Sequence, residues 1–406
     1  MLAGAYQTWR RPRARPGGAA FVVVGLLATL AVVSAAWSAR PEHTEKRALA
    51  FLILVLAAAA LADATVGRPE AMRRILEPLF VAATLVALLG LFMLWVAHNQ
   101  AVQPASTQYP ARFRGLGQNP NTVSLLLALA IPLGLWLWAT ARSRAAQVGV
   151  AAALLFLDGS IVASGSRGAL IAALAGAVVW VATAAAPRRL RLVLVGLAAA
   201  VFVADVAIMQ IPKALPTPPP SAHRGTSHVV RDAELVRPLS DEIGNPALGG
   251  QGAPIHRTLF GTSGRAQAWD AALHQAAKRP IAGYGFGTES VVFVDRYYGF
   301  DSSVPENSYL GTLLQLGIVG LAVLIALAVA LVLAGFRALR APSGPARALA
   351  RACVSMLCAA AVLGLTQSYL TSIGNLASPL VWIPALLLPA LAWQARLRPV
   401  EQREPG

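Results

Sequence analysis

Apolar residues fall in ten blocks of about twenty, near 19–37, 48–66, 79–97, 122–140, 146–164, 168–186, 190–211, 312–336, 348–366 and 378–395. Crossing a bilayer core ~30 Å thick at ~1.5 Å per helical residue requires blocks of that length. In lipid every backbone amide must be satisfied within its own segment or in a closed barrel. Blocks this long, with no alternation of period two, suit helices rather than tilted ten-residue strands. The pattern therefore predicts an all-α integral membrane protein of ten spanning helices. Helices 1–7 occupy 1–211, a single long loop 212–307, helices 8–10 residues 308–395, and a tail 396–406.

Composition agrees with that pattern. The 406-residue chain is 56% hydrophobic and 13% charged, with a mean hydropathy of +0.60, more apolar surface than one water-soluble core can hide. A net charge of +16 would suggest a nucleic-acid partner in a soluble domain, but its placement argues against one. With the N-terminus inside, the short cytoplasmic segments hold 19 Lys and Arg, against six in the short outer connections (Arg40, Lys46, Arg47, Arg112, Arg114 and Arg167). This positive-inside bias puts both termini in the cytoplasm and the loop 212–307 outside it, with the lipid bilayer as the partner. Ser34-Ala35-Ala36, near the end of the first block, has the look of a signal-peptidase site, yet the block is long enough for a retained anchor. Cys353 and Cys358 lie five apart on one helix, which suits neither a disulfide nor a metal motif.

The loop divides in two. Residues 212–260, rich in Pro, Gly and charge, hold too few apolar side chains for a core and read as flexible. Residues 261–307 read as structured. Thr262-Ser263 can cap a helix with Arg265 in its first turn, which places Ala266, Trp269, Leu273 and Ala276 on one stripe and which Pro280 ends. Gly283-Tyr-Gly285-Phe-Gly287 permits close backbone approach to a neighbour or ligand. It lacks the strand-before, helix-after setting of a dinucleotide fingerprint and is a weak phosphate signal.

Several chemistries have no signature here. The chain contains no Walker sequence, no HExxH, no GxSxG and no Asp-x-Asp pair of the kind that holds a metal on a nucleotide-sugar diphosphate. Its six histidines lack metal-ligand spacing and read as loop residues. No metal and no cofactor are called for. Positive signals lie at the outer face. Arg167 sits in Ser164-Gly-Ser-Arg167-Gly168, a turn otherwise built of small residues. It is either an interfacial anchor or a planar fork for a phosphate or diphosphate. Asp158 and Asp205 lie within spans and are functional candidates, or partners in a structural hydrogen bond or an arginine pair. Glu306 stands at the mouth of the eighth span, as a general base or as a cap that pairs an arginine.

Four segments, in order, resemble the O-antigen ligase and O-antigen polymerase family of bacterial membrane glycosyltransferases. They are Gly117-Gln-Asn-Pro-Asn121; Ser164-Gly-Ser-Arg167-Gly168; Gly264-Arg265-x3-Trp269 with Pro280-x2-Gly283-x-Gly285-x-Gly287; and Asn307-x-Tyr309-Leu310 with Gly317-x2-Gly320. The resemblance covers about residues 110–335. It implies a location in the bacterial cytoplasmic membrane and inverting, metal-independent transfer of a saccharide from a polyprenyl-diphosphate carrier to an acceptor hydroxyl on a lipid or glycan. Arg167 and Arg265 would bind the diphosphate, with Asn307, Tyr309 and Gly285 as further substrate contacts and Glu306 as base. Where the family commonly has His-Asn before Tyr-Leu, this chain has Glu306-Asn307. Ligase and polymerase differ only in acceptor, and a lipid-linked glycan transporter is the non-enzymatic alternative.

Overall fold

The computed structural model describes residues 18–65, 68–104, 111–117, 119–210, 265–293, 304–342 and 344–401. The expectation of flexibility in 212–260 and the capping role of Thr262-Ser263 lie outside these residues. The main helices are α1 (Ala19–Val33), α2 (Pro41–Thr65), α3 (Pro69–Val96), α4 (Pro120–Ala139), α5 (Arg144–Ser164), α6 (Arg167–Ala182) and α7 (Arg188–Gln210), followed by α8 (Arg265–Ala277), α9 (Ser308–Leu339), α10 (Pro345–Gly364) and α11 (Ser378–Glu401). The chain is an all-α integral membrane protein. Among the described residues nine helices are long and apolar enough to cross a bilayer, and the block expected at 168–186 forms the shorter apolar helix α6.

Burial sorts the helices. α4 and α11 are the most enclosed, whereas α7 shows nearly its whole surface. Its exposed Leu190, Leu194, Leu197 and Val201 suit a helix on the lipid-facing perimeter. α4 packs on α5, α6 and α10, and α9 packs on α1 and α11. Small residues allow these close approaches: Gly176 of α6 meets Pro132 of α4 and Ala359 of α10.

The antiparallel pair β1 (Val102–Gln103) and β2 (Arg112–Phe113) follows α3 and carries Arg112 towards the α5–α6 turn. Asn119 caps α4 by accepting from the Thr122 amide, and Pro120 at the first helical position loses no bond by lacking an N–H.

α9 is broken. Gly317 has φ 63° and ψ −163° within it, a conformation open essentially to glycine. The Gly-rich segment of the loop enters the gap. The Tyr284 and Gly285 amides donate to the Leu314 and Gln315 carbonyls (2.9 and 2.8 Å), and the Ile318 and Val319 amides donate to those of Pro280 and Ile281 (2.8 and 3.3 Å). The four backbone groups freed by the loss of two helical bonds, Ile318 to Leu314 and Val319 to Gln315, are thus each satisfied by the loop. The segment is also held from the α1–α2 connection, where the Trp37 indole donates to the Ala282 carbonyl, the Ala39 amide to that of Tyr284, and the Phe286 amide to the Ser34 hydroxyl. Phe286 is fully buried and stacks on Phe51, ring centres 5.3 Å apart.

Candidate active site

The structure brings Arg265 and Glu306 together. The Arg265 Nη2 donates to Glu306 Oε2 at 2.5 Å, with the side chains only 15% and 11% exposed. α8 is anchored to the same turn by the Trp269 indole, which donates to the Pro305 carbonyl. The buried stripe of α8 differs from expectation. Ala276 is buried as predicted, but Ala268, Ala271, Ala272 and Gln275 accompany it, while Ala266 is exposed and Leu273 is 49% exposed. Alanines let α8 lie close against Leu314 of α9 and Phe293, so the face that packs was selected by smallness rather than by hydrophobic bulk.

Glu306 has a φ of +48°, and is the one non-glycine residue with a positive φ among the described residues. Such a conformation costs about 1–2 kcal/mol, and the turn is fastened on both sides. Asn307, not Glu306, caps α9: its side chain accepts from the Tyr309 and Leu310 amides at 3.0 and 3.1 Å, and its own amide donates to the Ser368 hydroxyl. The Tyr309 hydroxyl donates to the Ala361 carbonyl of α10 at 2.8 Å. Both residues expected to contact substrate thus use these groups to hold the helix start in place.

Gly285 is engaged in the same way. Its amide donates to Gln315, those of Gly283 and Gly287 go to the Arg279 carbonyl and Gln315 Oε1, and a Cβ at 285 would run into Ser38. The glycine run is spent on docking the loop into α9, with these amides already engaged rather than turned to a phosphate.

Arg167 opens α6, with its Nη1 buried at the turn. Behind it, Arg112 joins two of the sequence motifs. Its Nε donates to the Ser164 carbonyl at 2.6 Å and its Nη2 to Asn121 Oδ1 at 2.9 Å. Gly165 turns the chain there with a φ of 63°. Next to Arg167, Gly168 lies directly against the Thr366 side chain in the α10–α11 connection.

That connection, residues 365–377, is what the sequence left unmarked. The Ser308 hydroxyl donates to the Gln367 carbonyl and accepts from the Tyr369 and Leu370 amides. Ser368 accepts from Asn307 and donates to Glu289 Oε1 at 2.6 Å. Gln315 Nε2 donates to Glu289 Oε2 and Thr371 Oγ1, both at 3.2 Å. Glu289 is 5% exposed, and burial pushes its carboxyl up to about 7 despite the bonds from Ser368 and Gln315, which act the other way. The turn carrying Arg167 and the turn carrying Glu306 therefore both abut one short connection, with Glu289 and Gln315 beneath it. In the sequence, Glu289 reads as an exposed acid at a helix start and Ser368 as one of many serines.

Asp158 of α5 and Asp205 of α7 lie close enough to interact where the two helices touch.

Comparison with known proteins gives one family match: residues 151–325 match the family model described as O-antigen ligase. Among solved structures, a chain of a peptidoglycan synthase complex is similar, with 19% identity, coverage of 93% of this chain and 98% of that one, and a TM-score of 0.46. No curated protein matches the sequence.

Proposed function

We propose, from the match of residues 151–325 to the O-antigen ligase family model, that the chain transfers a saccharide from a polyprenyl-diphosphate carrier to an acceptor hydroxyl at the outer face of the bacterial cytoplasmic membrane. The observation that supports this reading is the shielded Arg265–Glu306 pair at the mouth of α9. A guanidinium held on a carboxylate in a partly buried site is a charge ready to be exchanged. A diphosphate offers it more charge and a matching set of acceptor oxygens.

On this reading the incoming diphosphate draws Arg265 away from Glu306, and Arg167 joins from the α5–α6 turn. The acceptor oxygen attacks the anomeric carbon from the face opposite the diphosphate. The bond to the diphosphate oxygen breaks, and its electrons leave with the lipid diphosphate, whose charge the two arginines stabilise without a metal ion. The freed Glu306 carboxylate takes the proton of the acceptor hydroxyl. The base is thus uncovered only when the donor is bound.

Arg265→Lys and Arg167→Lys keep the charge and lose the fork. With a purified polyprenyl-diphosphate-linked saccharide as donor, each is expected to lower kcat/KM by about tenfold to a hundredfold, as befits loss of charge-assisted donors to a developing anion. Parental rates in both variants would rule out the clamp. Glu306→Gln separates the roles: it is expected to keep donor binding and lose turnover.

A further inference from the structure

We propose that the carboxyl end of α6 is a binding site for the phosphate group of an anionic phospholipid, formed by Arg191, Arg347 and Arg351. This end lies on the opposite side of the membrane from Arg167, on the face that the arginine bias marks as cytoplasmic.

Arg351 of α10 is fixed in place. Its guanidinium carbon lies 3.9 Å from the centre of the Trp180 ring, and its Nη2 donates to the Trp180 carbonyl at 2.8 Å. Arg191 of α7 donates from Nη1 to the Ala182 carbonyl at 2.9 Å. Both arginines thus use one nitrogen to satisfy the last turn of α6, where unpaired carbonyls and the negative end of the helix dipole favour a cation. Arg347 stands one turn before Arg351 on α10, close enough to repel it.

Two features favour an anion here, the first shared with other arginines of this face and the second particular to the cluster. Arg73 is paired with Glu77 and Arg142 with Glu70, whereas among the described residues none of the three pairs with a carboxylate. The Nε atoms of all three are moreover buried without a hydrogen-bond partner. A buried donor left unmade is costly, and mutually repelling guanidiniums compound the cost. A group with several anionic oxygens removes both penalties at once, and a Trp-braced arginine presents its remaining donors to it without further ordering.

The setting argues for a lipid as the source. α7 enters the membrane at Arg188–Arg191 with almost its whole length unburied, and Leu190, Leu194 and Leu197 continue from the arginines as an exposed track for an acyl chain. Basic recesses between spanning helices at this leaflet are where anionic head groups are bound.

The test uses the full chain purified in detergent. Its thermal unfolding midpoint is followed while dioleoylphosphatidylglycerol, dioleoylphosphatidylcholine or inorganic phosphate is added. The glycerol lipid is expected to raise the midpoint saturably and the choline lipid to leave it unchanged. An Arg347→Gln/Arg351→Gln variant is expected to need roughly tenfold more glycerol lipid for the same rise, while Arg142→Gln/Arg144→Gln, on the same face, behaves as the parent. Equal shifts with both lipids, an undiminished response in the Arg347/Arg351 variant, or an equal loss in the Arg142/Arg144 variant would overturn the proposal. A saturable rise with inorganic phosphate alone would overturn the lipid assignment. Should the double variant fail to fold, Arg191→Gln is examined with mass spectrometry of co-purified lipid, and undiminished phosphatidylglycerol would overturn the site.

Discussion

Glu289→Gln gives a direct test of the network beneath the candidate site. The parent carboxyl titrates at about 7 in the fold against an ordinary value of 4.5, so folding favours its neutral form by about 3 kcal/mol. Below pH 4.5 the group is protonated in both folded and unfolded chain and carries no penalty. As the pH rises towards 7 the unfolded chain ionises freely while the folded one resists, so this group's contribution to stability falls through that window and is then constant. Gln is neutral throughout. The assay is unfolding of parent and variant in one detergent at pH 4.5, 6 and 8. The parent is expected to lose about 3 kcal/mol more than the variant between the extremes, with the variant at least as stable at pH 8. Taking the difference cancels the other titrating groups. Parallel pH curves would show that Glu289 is not desolvated as its place under Ser368 and Gln315 requires, and the reasoning would fail.

Three further outcomes follow from the packing. Gly317→Ala is expected to cost about 1–3 kcal/mol in backbone strain alone and to push the Ile281 carbonyl out of the break, which faster tryptic cleavage after Lys278 in the folded protein would report. Arg112→Gln leaves the Ser164 carbonyl and the Asn121 amide without their shared donor, an expected loss of about 1–3 kcal/mol, and because that turn carries Arg167, the unfolding measurement is paired with a turnover assay expected to fall as well. Phe286→Ala empties the contact with Phe51, and a loss of about 3–5 kcal/mol is expected in the unfolding midpoint.

The helices were legible because lipid imposes a simple rule on long apolar blocks. α6 is the partial exception: its block was expected to run to 186, but the helix ends at Ala182 and Ala184–Ala186 continue the apolar composition without the helix. The Arg265–Glu306 pairing was among the readings open in the sequence. The break in α9 was not, because it arises from two segments about thirty residues apart exchanging backbone bonds, and backbone bonds leave no side-chain pattern. The glycines drew attention, but close approach to a helix and close approach to a phosphate ask for the same residue. Ser368 and Glu289 were missed for a related reason. A serine in a short connection and an acid at a helix start are ordinary on a surface, and only the fold shows that they are stacked under the re-entry turn.

The break in α9 also changes what counts as membrane-spanning. A continuous helix of 32 residues would be about 48 Å long, far more than a ~30 Å hydrocarbon core needs. Residues 318–339, after the break, measure about 33 Å and suffice alone. The first nine residues of the element, with the site's turn at their head, are therefore not needed for the crossing and form a short pedestal whose lower rim is completed by the loop. Seating the loop and erecting the pedestal are one event: if the loop leaves, the carbonyls of Leu314 and Gln315 lose their partners and the platform bearing Glu306 loses its footing, while the span below stays inserted.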